Sequence, residues 1–333
     1  MSLPVLHIWP GQWGLWSNDP PCLAAGLYLQ LAMPGKFLIS YCTNPDLSPS
    51  GVLPFLTHGR EVVSPLSPII KYISGLKGDT IDAGLNSFEI SQKIAWCSHI
   101  EANLGDLVSY MLYSLPANWV NLTHRTLAYS LPVPQRYYVP GRIRGTHRPR
   151  LEAAGLWHQH VLEPSDLLPS KSSADHKEKI AQAFQREKAC QTARDSFELY
   201  ARLLQSDNQF VYRGRLTSLD VALAAHILVI LKPPFPDPLF SDLLVKSYPT
   251  LVAHAERILQ KSLDLPAPVH SSPNSHSISS LFPSFGNINR TPARSDKSDE
   301  DREFELVSWG WTALAVGSVG LYFLAIGSPL AWK

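Results

Sequence analysis

Two side chains near the start of the chain, Ser17 and Cys22, are of the types that act in thiol chemistry. They stand before and at the beginning of an apolar stretch, 22–33, which predicts a buried helix. A hydroxyl or thiol at the start of such a helix can stabilise a bound thiolate. A structural serine at the helix entry is the simpler interpretation of Ser17, and apolar surroundings suppress the reactivity of Cys22. The pattern leaves a thiol-handling enzyme open as one alternative.

The remaining residues of catalytic or metal-binding type form no further constellation. The chain has four cysteines: Cys22, Cys42, Cys97 and Cys190. No two of them form a C-x-x-C pair, which favours buried free thiols in a reducing compartment. His158 and His160 are the nearest approach to a metal pair and have no third ligand close by. We therefore predict neither a metal nor another cofactor. The formal net charge of +1 argues against bulk nucleic-acid binding.

A basic and aromatic stretch, 136–150, is the candidate for binding a partner. Its members are Arg136, Tyr137, Tyr138, Arg142, Arg144, Arg148 and Arg150. Arginine beside tyrosine is typical of the residues that anchor protein interfaces. The hypothesis is that this stretch docks an acidic protein surface. A solvated surface with some attraction to lipid headgroups is the alternative.

The first 78 residues predict a small sheet with helices. Strands are expected at 3–9, at 37–42 and in a hairpin of 52–57 with 61–63, and helices at 22–33 and 68–74. The segment 44–51 is rich in turn formers, and Pro54 lies where the next strand begins, because proline is tolerated there and not within a central strand. This order is that of a thioredoxin-like domain, in which a cis-proline opens the third strand. We predict that the Leu53–Pro54 bond is cis.

From residue 79 to 263 the pattern is helical, which predicts an all-helical second domain. Thr217-x-x-Asp220 stands directly before the apolar run 221–231. A threonine followed three residues later by an acid forms a capping box, in which each side chain satisfies one unpaired N–H of the helix start. The uncharged run at 221–231, which is 11 residues long, is too short to cross a bilayer and predicts a buried helix.

The last seventy residues change in composition. Residues 264–303 are rich in proline, serine and asparagine and predict a disordered linker. Residues 304–333 carry a charge-free segment at 306–332 that is long enough to cross a bilayer as a helix, with Trp309, Trp311 and Tyr322 placed as interfacial residues. Only six residues follow Gly327. The expectation is a C-terminal tail anchor, with the bulk of the chain facing the cytosol and no secretory signal at the start.

Three stretches resemble the metaxin family. They are Trp13-Gly-Leu-Trp-Ser17 before Cys22-Leu-Ala, Asn44-Pro-x-x-Ser-Pro-Ser-Gly-x-Leu-Pro54, and Leu131-Pro-x-Pro-x-x-Tyr-Tyr-Val-Pro-Gly141-Arg. The resemblance spans roughly residues 3–260 and is densest in the first sixty. Trp16 departs from it, since metaxins usually have proline there. The domain order with a C-terminal anchor is most similar to the larger, thirty-seven-kilodalton metaxin-like subunit of the fungal mitochondrial sorting and assembly machinery.

The resemblance implies a glutathione-transferase-like fold and an accessory, non-catalytic role at the outer mitochondrial membrane. The partners that it implies are a barrel-inserting pore subunit, a sister metaxin-like subunit, the receptor of the import translocase, and β-barrel precursors, beside membrane lipid. The alternative is a membrane-anchored glutathione-dependent transferase. Such an enzyme needs an acidic–Ser pair before the helix that follows the hairpin, and Pro65-Leu66 stands there instead.

Overall fold

The computed structural model describes residues 3–77, 81–133, 135–157, 171–204, 209–212 and 214–270. Within these ranges, the side chains of Lys77 and of residues 171–182 are not described. Three predicted features lie outside the described residues: the histidine pair His158 and His160, most of the linker, and the whole of the predicted membrane anchor with Trp309, Trp311 and Tyr322.

A five-stranded mixed sheet forms the N-terminal layer, in the order β4-β3-β1-β2-β5. Its first four strands are β1 (Val5–Ile8), β2 (Leu38–Tyr41), β3 (Phe55–His58) and β4 (Glu61–Val63). β1 pairs in parallel with β2 and antiparallel with β3. The parallel pair requires a crossover, which helix α1 (Pro20–Ala32) supplies. The Leu53–Pro54 peptide bond before β3 is cis, and so is Ser64–Pro65 after β4.

Helix α1 is buried on nearly every side because its sequence is apolar all round and free of β-branched residues. Asp19 is its N-cap and accepts a hydrogen bond from the Cys22 N–H at 3.2 Å. Pro20 occupies the first turn, where a missing N–H costs nothing. Helix α2 (Leu66–Lys77) follows the β3–β4 hairpin and packs beside α1.

The rest of the described chain is helical. The helices are α3 (Ser87–Ser109), α4 (Pro116–Asn118), α5 (His124–Ser130), α6 (Val139–Ala153), α7 (Lys171–Leu204), α8 (Ser218–Leu231), α9 (Leu239–Ser247) and α10 (Pro249–Leu263). Wider π turns, Tyr110–Ser114 and Trp119–Thr123, continue α3 and join α4 to α5. Helix α8 is the centre of this layer and packs against α1, α3 and α10. Its residues from Ser218 to Ile230 are all buried, as expected for a helix that is hydrophobic on every face.

The chain returns to the sheet after the last helix. Strand β5 (Val269–His270) pairs in parallel with β2, with Val269 opposite Leu38 and His270 opposite Ile39. The buried Gln30 fixes the approach, since its Nε2 donates to the carbonyl oxygens of Ser262 (3.3 Å) and Pro266 (2.9 Å). The sequence predicts that the disordered linker begins at residue 264. In the structure, residues 264–270 instead connect α10 to the sheet and end as the edge strand β5.

Within the described ranges, no helix has both the length and the apolar character needed to cross a membrane. The predicted transmembrane helix belongs to 304–333, which is outside those ranges.

Candidate functional site

The sequence predicts a candidate thiol-binding site at the start of α1. In the structure the two side chains of that site, Ser17 and Cys22, are inaccessible to a substrate. The Ser17 side chain is fully buried, with 0% of its surface exposed. Its Oγ accepts a hydrogen bond from the Asp19 N–H at 3.3 Å, so the hydroxyl belongs to the helix entry. A thiolate substrate would need access to this oxygen, which the surrounding loop denies.

The loop that covers Ser17 is held by close backbone packing. A Cβ at Gly11 would lie 2.1 Å from the Leu15 carbonyl oxygen and 2.3 Å from the Trp16 carbonyl carbon, so only glycine fits. A Cβ at Gly26, on α1, would approach the Trp16 indole to 3.1 Å. Trp13 is in the left-handed region with φ 57°, which a bulky residue adopts only when its surroundings impose it. The loop is therefore held in one conformation. Its Leu15 belongs to the hydrophobic core, and Trp13 and Trp16 pack against that core.

The two ionisable groups at this helix entry, Asp19 and Cys22, both have raised pKa values, which disfavours a nucleophilic thiolate. Burial raises the pKa of the Cys22 thiol well above its usual value, and the neighbouring Asp19 carboxylate adds to the shift. Burial also raises the pKa of the Asp19 carboxyl to about 6. A reactive cysteine needs the opposite, a lowered pKa.

The second requirement of a glutathione enzyme is also unmet. Leu66 begins α2 and packs, partly buried, against the core. Pro65 precedes it and is joined to Ser64 by a cis peptide bond. Neither side chain carries a carboxylate or hydroxyl that would bind an amino-acid headgroup. The cis-proline at residue 54 remains as a feature of the fold.

The capping residues lie where the sequence places them. The Asp220 carboxylate accepts hydrogen bonds from the Thr217 N–H at 2.9 Å and the Thr217 hydroxyl at 2.8 Å. Its other oxygen accepts from the Val211 N–H at 2.8 Å, and His254 Nε2 lies 3.6 Å away. One buried carboxylate thus joins the start of α8 to the preceding loop and to α10.

Two arginines of the basic stretch support the fold. Arg144 Nε donates to the Tyr113 carbonyl oxygen at 2.9 Å, and its guanidinium lies 5.0 Å from the ring centres of both Trp119 and Trp157. Partial burial lowers the pKa of Arg144. Arg150 Nη2 donates to the carbonyl oxygens of residues 101 (2.7 Å) and 102 (2.9 Å), and Arg150 Nε binds the Asp106 carboxylate. Both side chains are committed to α3 and its continuation.

Four of the other members of the stretch are exposed, and Arg136 is half-buried. Arg142 pairs with Asp46 at 3.4 Å and Arg148 with Glu152 at 2.6 Å, and all four side chains are more than a third exposed. Arg136 lies in the turn before α6, where its Nη2 reaches the Leu131 carbonyl oxygen at 3.4 Å. Tyr137 and Tyr138 are exposed, Tyr137 by 76%.

The Arg142–Asp46 pair reveals a wider surface that the sequence analysis missed. It joins the start of α6 to the loop between β2 and β3, across 96 residues of the chain. Four further exposed side chains lie in that loop (Leu47 and Val52), near the end of α5 (Tyr129) and in the turn after α5 (Val133). We call them, with Arg136, Tyr137, Tyr138, Arg142 and Asp46, the turn–loop surface. Arginine, tyrosine and exposed aliphatic residues together are the composition of a protein interface.

Replacing Arg144 with methionine is expected to lower the free energy of unfolding by about 2 kcal/mol, because one hydrogen bond and two cation–π contacts are lost. Arg148→Met on the same helix removes only an exposed i,i+4 pair and is expected to cost about 0.5 kcal/mol or less. Urea unfolding followed by tryptophan fluorescence measures both. Equal losses in the two variants would contradict a structural role for Arg144.

Comparisons with known proteins agree with this fold. Residues 22–144 match the family model described as "Outer mitochondrial membrane transport complex protein". Metaxin-1 of Macaca fascicularis is 27% identical over 71% of this chain and 68% of its own length, and human Metaxin-1 is 26% identical over 71% and 46%. Human Metaxin-2 is 23% identical over 75% and 84%. The chain thus spans about two thirds of the macaque protein and less than half of human Metaxin-1.

Among solved structures, glutathione transferase GSTFuA2 from Phanerochaete chrysosporium superposes with a TM-score of 0.51. It is 14% identical and covers 79% of this chain and 98% of its own. At that identity the likeness concerns the fold alone. The sheet and the helical layer define a glutathione-transferase-like fold. In sequence, the chain is similar to the metaxins and, over residues 22–144, to the family of outer mitochondrial membrane transport complex proteins.

Proposed function

We propose that this protein is a non-catalytic accessory subunit of the sorting and assembly machinery in the mitochondrial outer membrane. The observation that carries the proposal is the buried Ser17, held by the Asp19 N–H beneath a fixed loop. Because a substrate thiol cannot reach Ser17, this glutathione-transferase-like fold has no open site for thiol chemistry. Its exposed surfaces remain available for binding other proteins. The family model's description supports a place in an outer-membrane transport complex.

In this role the chain supports the insertion, folding and release of β-barrel precursors. Its proposed partners are a barrel-inserting pore subunit, a sister metaxin-like subunit and the receptor of the import translocase. Residues 304–333 anchor the chain in lipid, and the folded part faces the cytosol. Nucleic acid is not among the proposed ligands, given the net charge of +1.

The turn–loop surface is the proposed contact with a subunit of that machinery. Arg136, Arg142, Tyr137 and Tyr138 supply it, and Arg148 extends it along α6. Arg144 and Arg150 support it from behind through their bonds to α3 and Tyr113. This division refines the partner-binding hypothesis, which treated all the arginines alike.

Native co-purification from solubilised mitochondria, with mass spectrometry, tests the proposal. Wild-type protein is expected to bring down a barrel-inserting outer-membrane protein. A double variant, Tyr137→Glu with Arg142→Glu, is expected to reduce that recovery at least fivefold with its unfolding midpoint unchanged. Arg202→Glu, on the exposed side of α7, is the matched control. Full recovery with the double variant would remove this surface as the contact, and absence of any membrane-protein partner from the wild-type sample would overturn the function.

The enzyme alternative is decided by a separate assay. Conjugation of glutathione to chlorodinitrobenzene, and retention on immobilised glutathione, are expected at background level. Turnover that is lost in Ser17→Ala would reverse the assignment to a non-catalytic subunit.

A further inference from the structure

Strand β4 ends the sheet and leaves one backbone position open. The β3–β4 hairpin closes through the two residues Gly59 and Arg60, with His58 opposite Glu61, and Gly59 has φ 63°. In a two-residue hairpin the closing pair is hydrogen-bonded and the next pair is not. The N–H and C=O of Val62, opposite Thr57, therefore point away from β3. In the described part of the chain, no backbone hydrogen bond reaches Val62 from that side.

An apolar groove runs beside this open edge, between β4 and α2. Its volume is about 430 Å³, and its lining residues are Val63, Pro68, Lys71, Tyr72, Gly75 and Leu76. The Tyr72 hydroxyl is held by His58 Nδ1 at 2.9 Å, which fixes the ring. Gly75 has no atom within 4 Å of the place where a Cβ would stand, so the missing side chain leaves the groove open there. Leu76, which lines the groove, and Val62, which precedes Val63 on β4, are each about half exposed (49% and 47%).

The charge at the groove favours an acidic ligand. Lys71 is exposed and, among the described residues, has no ion pair or side-chain hydrogen bond. A carboxylate placed beside it would gain an ion pair without displacing one.

We propose that β4 and this groove bind an extended polypeptide segment of a partner as an additional strand. Its backbone pairs with the N–H and C=O of Val62, alternate apolar side chains enter the groove, and a carboxylate lies near Lys71. Peptide binding by strand addition works in this way, with main-chain bonds giving affinity and alternate side chains giving specificity. A helix or a lipid surface would fill the groove but leave the Val62 edge unpaired. The inference goes beyond the proposed function, because it defines the conformation and chemistry of a ligand and stands whether or not the complex is the one proposed.

The test uses the full-length protein in detergent micelles and a synthetic probe. The probe is a fluorescein-labelled ten-residue peptide of alternating valine and threonine, with one central valine replaced by glutamate so that the carboxylate lies on the same face as the other valines. Fluorescence anisotropy is expected to show saturable binding. The same peptide with N-methyl groups on alternate residues, which blocks strand pairing, is expected to bind at least tenfold more weakly. No saturable binding up to millimolar peptide, or equal binding of the N-methylated peptide, would overturn the proposal.

Variants locate the site. Val62→Pro removes the outward N–H, which an edge strand tolerates, and is expected to weaken binding at least tenfold, whereas Val62→Thr keeps the N–H and the affinity. Gly75→Phe fills the groove from the outside and is expected to have an effect similar to Val62→Pro. Lys71→Glu should weaken the binding of the glutamate peptide and allow binding of a peptide with lysine at that position.

Unchanged affinity in both Val62→Pro and Gly75→Phe would show that the peptide binds elsewhere on the protein. Light scattering tests whether a second copy of the chain occupies the edge. A wild-type dimer that becomes a monomer in Val62→Pro would overturn the assignment of the edge to a partner.

Discussion

Asp220→Ala is expected to lower the free energy of unfolding by about 3 kcal/mol or more. The substitution leaves three donors without an acceptor: the N–H groups of Thr217 and Val211 and the Thr217 hydroxyl. Asp220 is fully buried, so water cannot replace the lost acceptor. The site also joins α8 to α10 through His254, and α8 is the centre of the helical layer. The effect is therefore expected to reach the whole fold.

Urea unfolding of the full-length protein in detergent, followed by tryptophan fluorescence, measures the change. Asp242→Ala is the matched control, because Asp242 makes an exposed i,i+4 pair with Lys246 on α9. Its expected cost is about 0.5 kcal/mol or less. Asp220→Asn keeps an acceptor and is expected to fall between the two. A loss in Asp220→Ala no greater than in Asp242→Ala would contradict the buried capping box as a main support.

Acidification from pH 7 to pH 4 is the second large effect, and it is expected to destabilise the protein through two histidines. Burial lowers the pKa of His226 and of His147 to about 4 each, and the Arg150 charge adds to both shifts. Each group is neutral in the folded state and protonates near pH 6.5 in the unfolded chain. Stability is therefore fully present above pH 6.5 and is lost as the pH falls toward 4. The loss is at most about 3 kcal/mol for each histidine.

Asp19 acts in the opposite direction over part of this range. The pKa of its carboxyl is about 6 in the folded state, above its usual value, so protonation near pH 5 favours the folded protein. Burial also raises the pKa of Asp106 and Asp220 and lowers the pKa of His7 and His254. Four histidines are thus opposed by three carboxyls, and the net change on acidification is expected to be a loss.

His226→Leu isolates the histidine contribution. His226 Nδ1–H donates to the Ala222 carbonyl oxygen at 2.8 Å, and Nε2 is buried without a hydrogen-bond partner among the described residues. Leucine removes both the unpaired atom and the titration, so stability at pH 7 is expected to hold or rise and the acid-induced loss to fall by up to about 3 kcal/mol. His270→Leu, at an exposed position on β5, is the matched control for exchanging a histidine for leucine. An identical pH profile in His226→Leu would contradict the assignment.

Local sequence was sufficient for the elements whose signals lie close together. The turn formers of 44–51 and Pro54 predict the start of β3, and the cis peptide bond is found there. Thr217-x-x-Asp220 and the apolar run behind it predict a capped, buried helix, and α8 is one. In each case the deciding interactions join residues a few positions apart, so their spacing carries the information.

The candidate sites depended on contacts between distant residues. The sequence gives no reason to distinguish Arg150 from Arg148. In the structure, however, Arg150 bonds to two carbonyl oxygens on α3, which lie 48 and 49 residues away in the chain. Ser17 is inaccessible because of how the Gly11 loop packs back on itself, which spacing does not reveal. Strand β5 is two residues long and has no pattern of its own. It forms because Gln30 holds the carbonyl of Pro266, 236 residues further along.

The sequence by itself determined the order of the first four strands and of the helices between them, the capping of the central helix and the resemblance to the metaxins. The tertiary structure alone decided which arginines support the fold, that the helix-entry serine is covered, and that β4 presents an open edge beside a groove. The physical reason is that accessibility and hydrogen-bond pairing are properties of residues brought together by folding. Residue type and spacing set only what each side chain is able to do once it is placed.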